Sequence, residues 1–194
     1  GHKRLFVAIE LPDAVKDALL ALGEELRPAL PNFRFLKRDG LHITVQFLGE
    51  TEENLLSRIE IALAGAARAC APFSLACAGI GVFPTLRAAR ILWVGVEGDV
   101  PASQALQHEV GKVLRPVGFK PEKREFIPHV TVGRVRGGER PDWLAKAIES
   151  ERERRYGAAF RVESLTLFES ILRPDGAEYA ALGRFALNAG ARRT

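Results

Sequence analysis

Two stretches of this chain repeat one pattern, and any fold it adopts has to place both. LHITVQFLG (residues 41–49) and PHVTVGR (residues 128–134) each contain His-x-Thr followed by an apolar residue. Val, Ile and Thr dominate both, which predicts two β-strands. Side chains alternate faces along a strand, so His42 and Thr44 project to one side while Ile43 and Val45 project to the other. The same holds for His129 and Thr131. If the two strands meet in one cleft, it holds two acid/base groups and two hydrogen-bonding hydroxyls.

The rest of the chain alternates strand and helix signals. RLFVAIELP (residues 4–12) is apolar enough for a strand buried on both faces. Pro12 then opens a helix carrying Val15, Leu19, Leu22 and Leu26 at helical spacing. Residues 33–37 form a short strand before the Asp39-Gly40 turn, and Thr51 begins a second helix with Leu55, Leu56, Ile59 and Leu63 on one stripe. Residues 73–83 return to strand, with Gly79 and Gly81 marking a bulge or bend, and RILWVGVE (residues 90–97) is another strand. A helix over residues 101–114 and a proline-rich loop lead to the second motif. Residues 141–152 read as a fourth helix, and residues 160–169 and 178–187 as a closing hairpin turned by Pro174-Asp175-Gly176.

That order predicts an α+β (mixed α/β) protein. Each motif is preceded by a strand-helix unit and followed by a helix, and His129 lies 87 residues after His42. An internal duplication fits this spacing: two similar lobes whose central strands face each other across a groove. No linker separates them, so residues 3–188 are read as one bilobal domain. Gly1 and His2 look like the scar of a cleaved expression tag, and residues 189–194 read as a frayed tail.

Composition sets weaker bounds. The chain has 194 residues, 47% of them hydrophobic and 27% charged, the make-up of an ordinary globular domain. A net charge of +4 and a pI of about 9.3 lean towards an anionic partner. Cys70 and Cys77 lack CxxC spacing and neighbouring histidines, which predicts buried free thiols in a reducing compartment. With no membrane-length apolar run and no leader pattern, a cytoplasmic location is the expectation.

Two imidazoles on opposite walls of a cleft suit phosphodiester cleavage. One accepts a proton from the attacking hydroxyl or water while the other protonates the departing oxygen. Threonine hydroxyls and a nearby arginine then hold the non-bridging oxygens. A lone His-x-Thr in a strand is more often structural; the matched pair is what shifts the balance. Other chemistries find little support. The two histidines have no Asp, Glu or Cys at ligand spacing, and neither a GxSxG nucleophile elbow nor a phosphate-binding glycine loop occurs. His108, beside Glu109 on the third helix, is expected to face solvent.

HITVQFLGE and HVTVGR, with RLFVAIELP at the start, resemble the RNA 2',3'-cyclic phosphodiesterase family. This is also called the 2'-5' RNA ligase family, within the two-histidine phosphoesterase superfamily. The likeness extends over nearly the whole chain. It implies a bilobal fold of antiparallel sheets in pseudo-twofold arrangement around a central groove, and cofactor- and metal-independent opening of a terminal 2',3'-cyclic phosphate to a 2'-phosphomonoester. By that resemblance His42 is the general acid, His129 the general base, Thr44 and Thr131 hold phosphate oxygens, and Arg134 binds the phosphate. Strict alternation puts Arg134 on the face opposite His129, so it reaches the groove only if the strand ends or bulges near Gly133.

Phe83, Trp93 and Phe126 are candidates to stack on a terminal base, with core packing the competing role for each. Arg87, Arg90, Lys123 and Arg124 are candidates to guide an RNA backbone. The expected partners are RNA ends bearing a 2',3'-cyclic phosphate, or cyclic nucleotides, met by a monomer. Three rivals stay open: 2'-5' ligation at the same site, an RNA-binding module without turnover, and hydrolysis of a small cyclic nucleotide or ADP-ribose derivative.

Overall fold

Leu5 to Ile9 are five consecutive buried residues, so the first strand, β1 (His2–Glu10), lies in the middle of a sheet. The computed structural model describes residues 1–137 and 142–191. After β1 come α1 (Asp13–Leu26), β2 (Phe33–Phe35), β3 (His42–Glu52), α2 (Leu56–Arg68), β4 (Phe73–Phe83), β5 (Ile91–Gly98) and α3 (Val100–Leu114). Then follow β6 (His129–Val135), α4 (Leu144–Ser150), β7 (Phe160–Val162), β8 (Ser164–Arg173) and β9 (Gly176–Ala186).

The strands form a single antiparallel sheet in the order β7-β4-β5-β6-β3-β1-β8-β9, with β2 also pairing β6. This order is symmetric about the boundary between β6 and β3, the two His-x-Thr strands. Outward from it, β5 corresponds to β1, β4 to β8 and β7 to β9. The unit β1-α1-β3 matches β5-α3-β6, as a duplication requires. The halves meet through one register pair, Ile43 with Val130. Beyond it β6 leaves β3 and pairs with β2, whose Phe35 stands opposite Gly133.

One face of the sheet carries the helices. Val15, Leu19 and Leu22 of α1, Ile59 and Leu63 of α2, and Leu106, Val110 and Leu114 of α3 are buried against Leu5, Val7, Ile9, Ile43, Val130 and Val132. The helices cross the seam: α1 reaches β6, and α3 reaches β3. Asp99 caps α3 by accepting a hydrogen bond from the Ala102 amide at 3.2 Å. The other face holds a second, smaller apolar cluster of Phe6, Ala8 and Phe168, with Tyr179 packed on it.

Several boundaries differ from the sequence reading. β3 runs on to Glu52, so Thr51 pairs with Lys3 and α2 starts only at Leu56, after one 3₁₀ turn. Residues 160–162 are an edge strand on β4 and not part of the closing hairpin, because Glu163 interrupts them before β8. The hairpin itself, β8 with β9, turns at Pro174 and Asp175. The fourth helix spans only Leu144–Ser150, and the expected start at Pro141 lies outside the described residues, as do residues 192–194 of the tail. Asn188 anchors what precedes them, its amide donating to the Cys70 carbonyl at 2.9 Å and its side chain to that of Arg68 at 3.1 Å. His2 is part of β1, opposite Glu52. No helix among the described residues is long and apolar enough to cross a membrane.

The Gly79–Gly81 bend falls where β4 and β5 shift register between Cys77 and Ile80, and Gly79 has φ +72°. Gly81 gives way to the Trp93 indole, since a Cβ there would overlap the ring. Gly81→Ala is therefore expected to displace Trp93 and lower stability by about 1–3 kcal/mol. Denaturant unfolding with tryptophan fluorescence checks this, and an unchanged midpoint would refute it.

Candidate active site

A β-bulge after each threonine builds the site. On β6, Thr131 pairs with Trp93 and Gly133 with Leu92, leaving Val132 without a partner on β5. On β3, Thr44 pairs with Ala8 and Gln46 with Val7, leaving Val45 likewise unmatched on β1. The bulged residues, 87 apart like the histidines, both turn into the helix-covered core. An extra residue reverses the alternation beyond it. Arg134 consequently shares the face of His129 and Thr131, where strict alternation would place it opposite them, with Val132 as the bulged residue beside Gly133. The equivalent position on β3 is Phe47, 67% exposed.

The helix-free face is hollowed into a groove of about 700 Å³. His42, Thr44, His129, Thr131 and Arg134 all line it. Among the described residues neither threonine hydroxyl is hydrogen-bonded within the protein, which leaves both available to a ligand.

The histidines sit on different supports. His42 stacks on Phe6, with ring centroids 4.8 Å apart, and meets Tyr179 edge-on at 5.7 Å. Desolvation among these rings, with smaller contributions from the positive charges of Lys16 and Arg134, pushes its pKa down to about 4. His129 lies edge-on to Phe83 at 5.2 Å, and its Nδ1 is 2.9 Å from the Ile127 carbonyl. That oxygen can only accept, so Nδ1 carries the hydrogen and Nε2 is the nitrogen left to accept a proton.

Neither imidazole is hydrogen-bonded to a carboxylate among the described residues. Glu10 pairs with His42 across the strands, yet its carboxylate accepts from Thr166 at 2.8 Å and from Arg184 at 2.7 and 2.9 Å. The hydrogen bond from Arg184 holds its pKa below the usual range. No cluster of three or more His, Cys, Asp or Glu at metal-binding reach occurs among the described residues.

Phe83 and Phe126 line the groove. Trp93 does not: it stands behind Phe83, 5.3 Å between centroids, with its Nε1 buried and unpartnered. The loop bearing Phe126 is held where Gln104 donates to the Phe126 carbonyl at 2.9 Å. Of the backbone-guiding candidates only Arg124 lines the groove; Arg87, Arg90 and Lys123 are exposed elsewhere. His108 is exposed on α3. Cys77 is buried and Cys70 half-buried, both free, and burial raises the Cys77 thiol to about 12.

Sequence reasoning missed Arg4, Phe6, Phe47 and Tyr179. Period-2 alternation along β1 places Arg4, Phe6, Ala8 and Glu10 on one face, which was a usable signal. Adding 87 to Phe47 gives Arg134, another such signal.

Comparison with known proteins agrees with this architecture. The family model of the 2'-5' RNA ligase superfamily matches residues 11–171. A Methanothermobacter thermautotrophicus protein named RNA 2',3'-cyclic phosphodiesterase is 34% identical over 184 residues, covering 95% of this chain and 98% of its own. A protein of the same name from Methanocaldococcus jannaschii is 30% identical, covering 92% and 98%. Among solved structures, TT0787 of Thermus thermophilus superposes with a TM-score of 0.78 at 28% identity, over 96% of this chain and 99% of that one. E. coli LigT complexed with 3'-AMP gives 0.75 at 26% identity, over 96% and 99%. With the duplicated sheet and the paired motifs, these matches show that the chain belongs to the 2'-5' RNA ligase superfamily.

Proposed function

We propose that this protein is an RNA 2',3'-cyclic phosphodiesterase, which opens a terminal 2',3'-cyclic phosphate to a 2'-phosphomonoester. The observation that carries this reading is the convergence of both His-x-Thr pairs and Arg134 on one groove. Relatives named for this activity, and a related structure holding 3'-AMP, agree with it.

In this reading the cyclic phosphate lies between the histidines, its non-bridging oxygens held by Thr44, Thr131 and Arg134. Nε2 of His129 accepts a proton from water as the water oxygen bonds to phosphorus. The bond from phosphorus to the 3'-oxygen breaks in line, and His42 delivers a proton to that oxygen. The lowered pKa of His42 means that its imidazole is neutral in the free protein at pH 7. A bound phosphate anion supplies a counter-charge that favours the imidazolium against the desolvation that lowers its pKa, and it offsets the smaller effect of Arg134. His42 thus takes up its proton from solvent as the anionic substrate binds. Phe83 and Phe126 offer faces for the terminal base, and the partner is an RNA end or a cyclic nucleotide, met by a cytoplasmic monomer.

Replacing water by the 5'-hydroxyl of a second RNA end converts the same steps into 2'-5' ligation. Product analysis with and without a 5'-hydroxyl partner separates the two.

Hydrolysis of a nucleoside 2',3'-cyclic phosphate in excess EDTA is expected to yield the 2'-monophosphate. His42→Ala and His129→Ala should each lose about 10²–10⁴-fold in kcat/KM. Full activity in either variant, or a 3'-product, contradicts the mechanism. In the free protein the His42 ring should titrate near pH 4 by proton NMR. A midpoint at the ordinary histidine value would refute proton uptake coupled to substrate binding.

A further inference from the structure

Beyond the reacting phosphate, the groove carries an arginine towards each end, in unequal surroundings. At one end Arg124 shares its loop with Glu122 and Glu125, which also line the groove and offset its charge. At the other end Arg4, Ser170 and Tyr179 line it with no acidic neighbour among the lining residues of that end. These three stand in one row across adjacent strands: Arg4 of β1 pairs with Ser170 of β8, which pairs with Tyr179 of β9. Strand spacing sets neighbours in such a row about 5 Å apart, on a rigid three-strand floor. Alternation along β1 puts Arg4 on the face of Phe6, the ring that supports His42.

Arg4 is exposed and makes no ion pair among the described residues, although Glu50 is its cross-strand partner on β3. Other arginines of the sheet and its flanks are committed: Arg184 to Glu10, Arg155 to Glu97, Arg173 to Glu178 and Arg161 to Glu163. Tyr179 feels the positive charges of Arg134 and Arg4, with Asp39 opposing them, so the row is linked electrostatically to the place of the reacting phosphate and carries one more cation than anion. Arg4 and Ala8, the partner of Thr44, are four residues apart on β1, about 13 Å at the usual rise. The long Arg4 side chain can span part of that gap, so the spacing suits a phosphate on the 5' side of the terminal nucleoside, a group that a mononucleoside 2',3'-cyclic phosphate lacks.

Resting on the cyclic phosphodiesterase reading, we propose that Arg4, Ser170 and Tyr179 form a second phosphate subsite, which holds an internal phosphate of the RNA strand leading to the cyclic end. The guanidinium supplies charge and paired N–H donors, and the serine and tyrosine hydroxyls donate to the remaining oxygens. The terminal nucleoside then lies towards Phe83 and Phe126, and the strand leaves over β1, β8 and β9. Oligonucleotide ends, not mononucleotides, are the preferred substrate class.

The test compares kcat/KM for a mononucleoside 2',3'-cyclic phosphate and for a trinucleotide ending in the same group, using the intact protein and Arg4→Gln, Arg4→Lys and Arg124→Gln. The intact protein should prefer the trinucleotide. Arg4→Gln should lower trinucleotide turnover about tenfold, the worth of one charge-assisted contact. It should leave the mononucleotide unchanged, with Arg4→Lys keeping part of the preference and Arg124→Gln all of it. Equal losses on both substrates in Arg4→Gln, no loss on either, or a preference that collapses in Arg124→Gln instead, would overturn the proposal. If the intact protein turns over neither substrate, the phosphodiesterase reading fails on its own. Binding of a 3'-phosphorylated trinucleotide, followed by fluorescence anisotropy, then decides the subsite: weaker binding by Arg4→Gln supports it and equal binding refutes it.

Discussion

The antiparallel pairing of Ile43 with Val130 is the contact on which the rest depends. Both side chains are completely buried beneath the helices, so their neighbours in sequence, His42 with Thr44 and His129 with Thr131, turn to the opposite face. A one-residue slip in either strand would send its histidine into the core and a valine into the groove. The crossing helices guard that register, because α1 packs on the far half of the sheet and α3 on the near half. Neither half can move without disturbing the helix it shares. Duplication thus yields more than two copies of a motif: it sets them antiparallel about one axis, with the imidazoles facing a common space.

The two copies have diverged in what surrounds the imidazole. On the β3 side the ring lies on Phe6 and beside Tyr179, which strips it of water and disfavours its charge. On the β6 side a backbone carbonyl fixes the tautomer, and Phe83 stands edge-on. A symmetric pair would have no reason to divide acid from base. These supports supply the asymmetry, and the positions beyond the two bulges extend it, with phenylalanine at 47 and arginine at 134.

Much of this was legible in the sequence because it rests on local periodicity. The strand assignment of both motifs, the helical stripe of Val15, Leu19 and Leu22, and the bend at Gly79 follow from side-chain spacing and glycine. The placement of Arg134 did not, since a bulge depends on which partner residue is skipped, and Leu92 and Trp93 of β5 decide that. Trp93 was ambiguous for a related reason: its distance from the groove is set by the room that Gly81 leaves on the next strand. Arg4 and Tyr179, at opposite ends of the chain, share a row only because β8 lies between β1 and β9, a tertiary fact without local signature.

The central claim is that both imidazoles address one phosphate. It is tested most directly by titrating the protein with 2'-AMP while following the His42 and His129 ring resonances by NMR. One equivalent should shift both rings along the same binding curve, and Arg134→Ala should weaken both responses together. A response from one ring alone, or two curves with different midpoints, would mean that the histidines serve separate sites and would contradict the account.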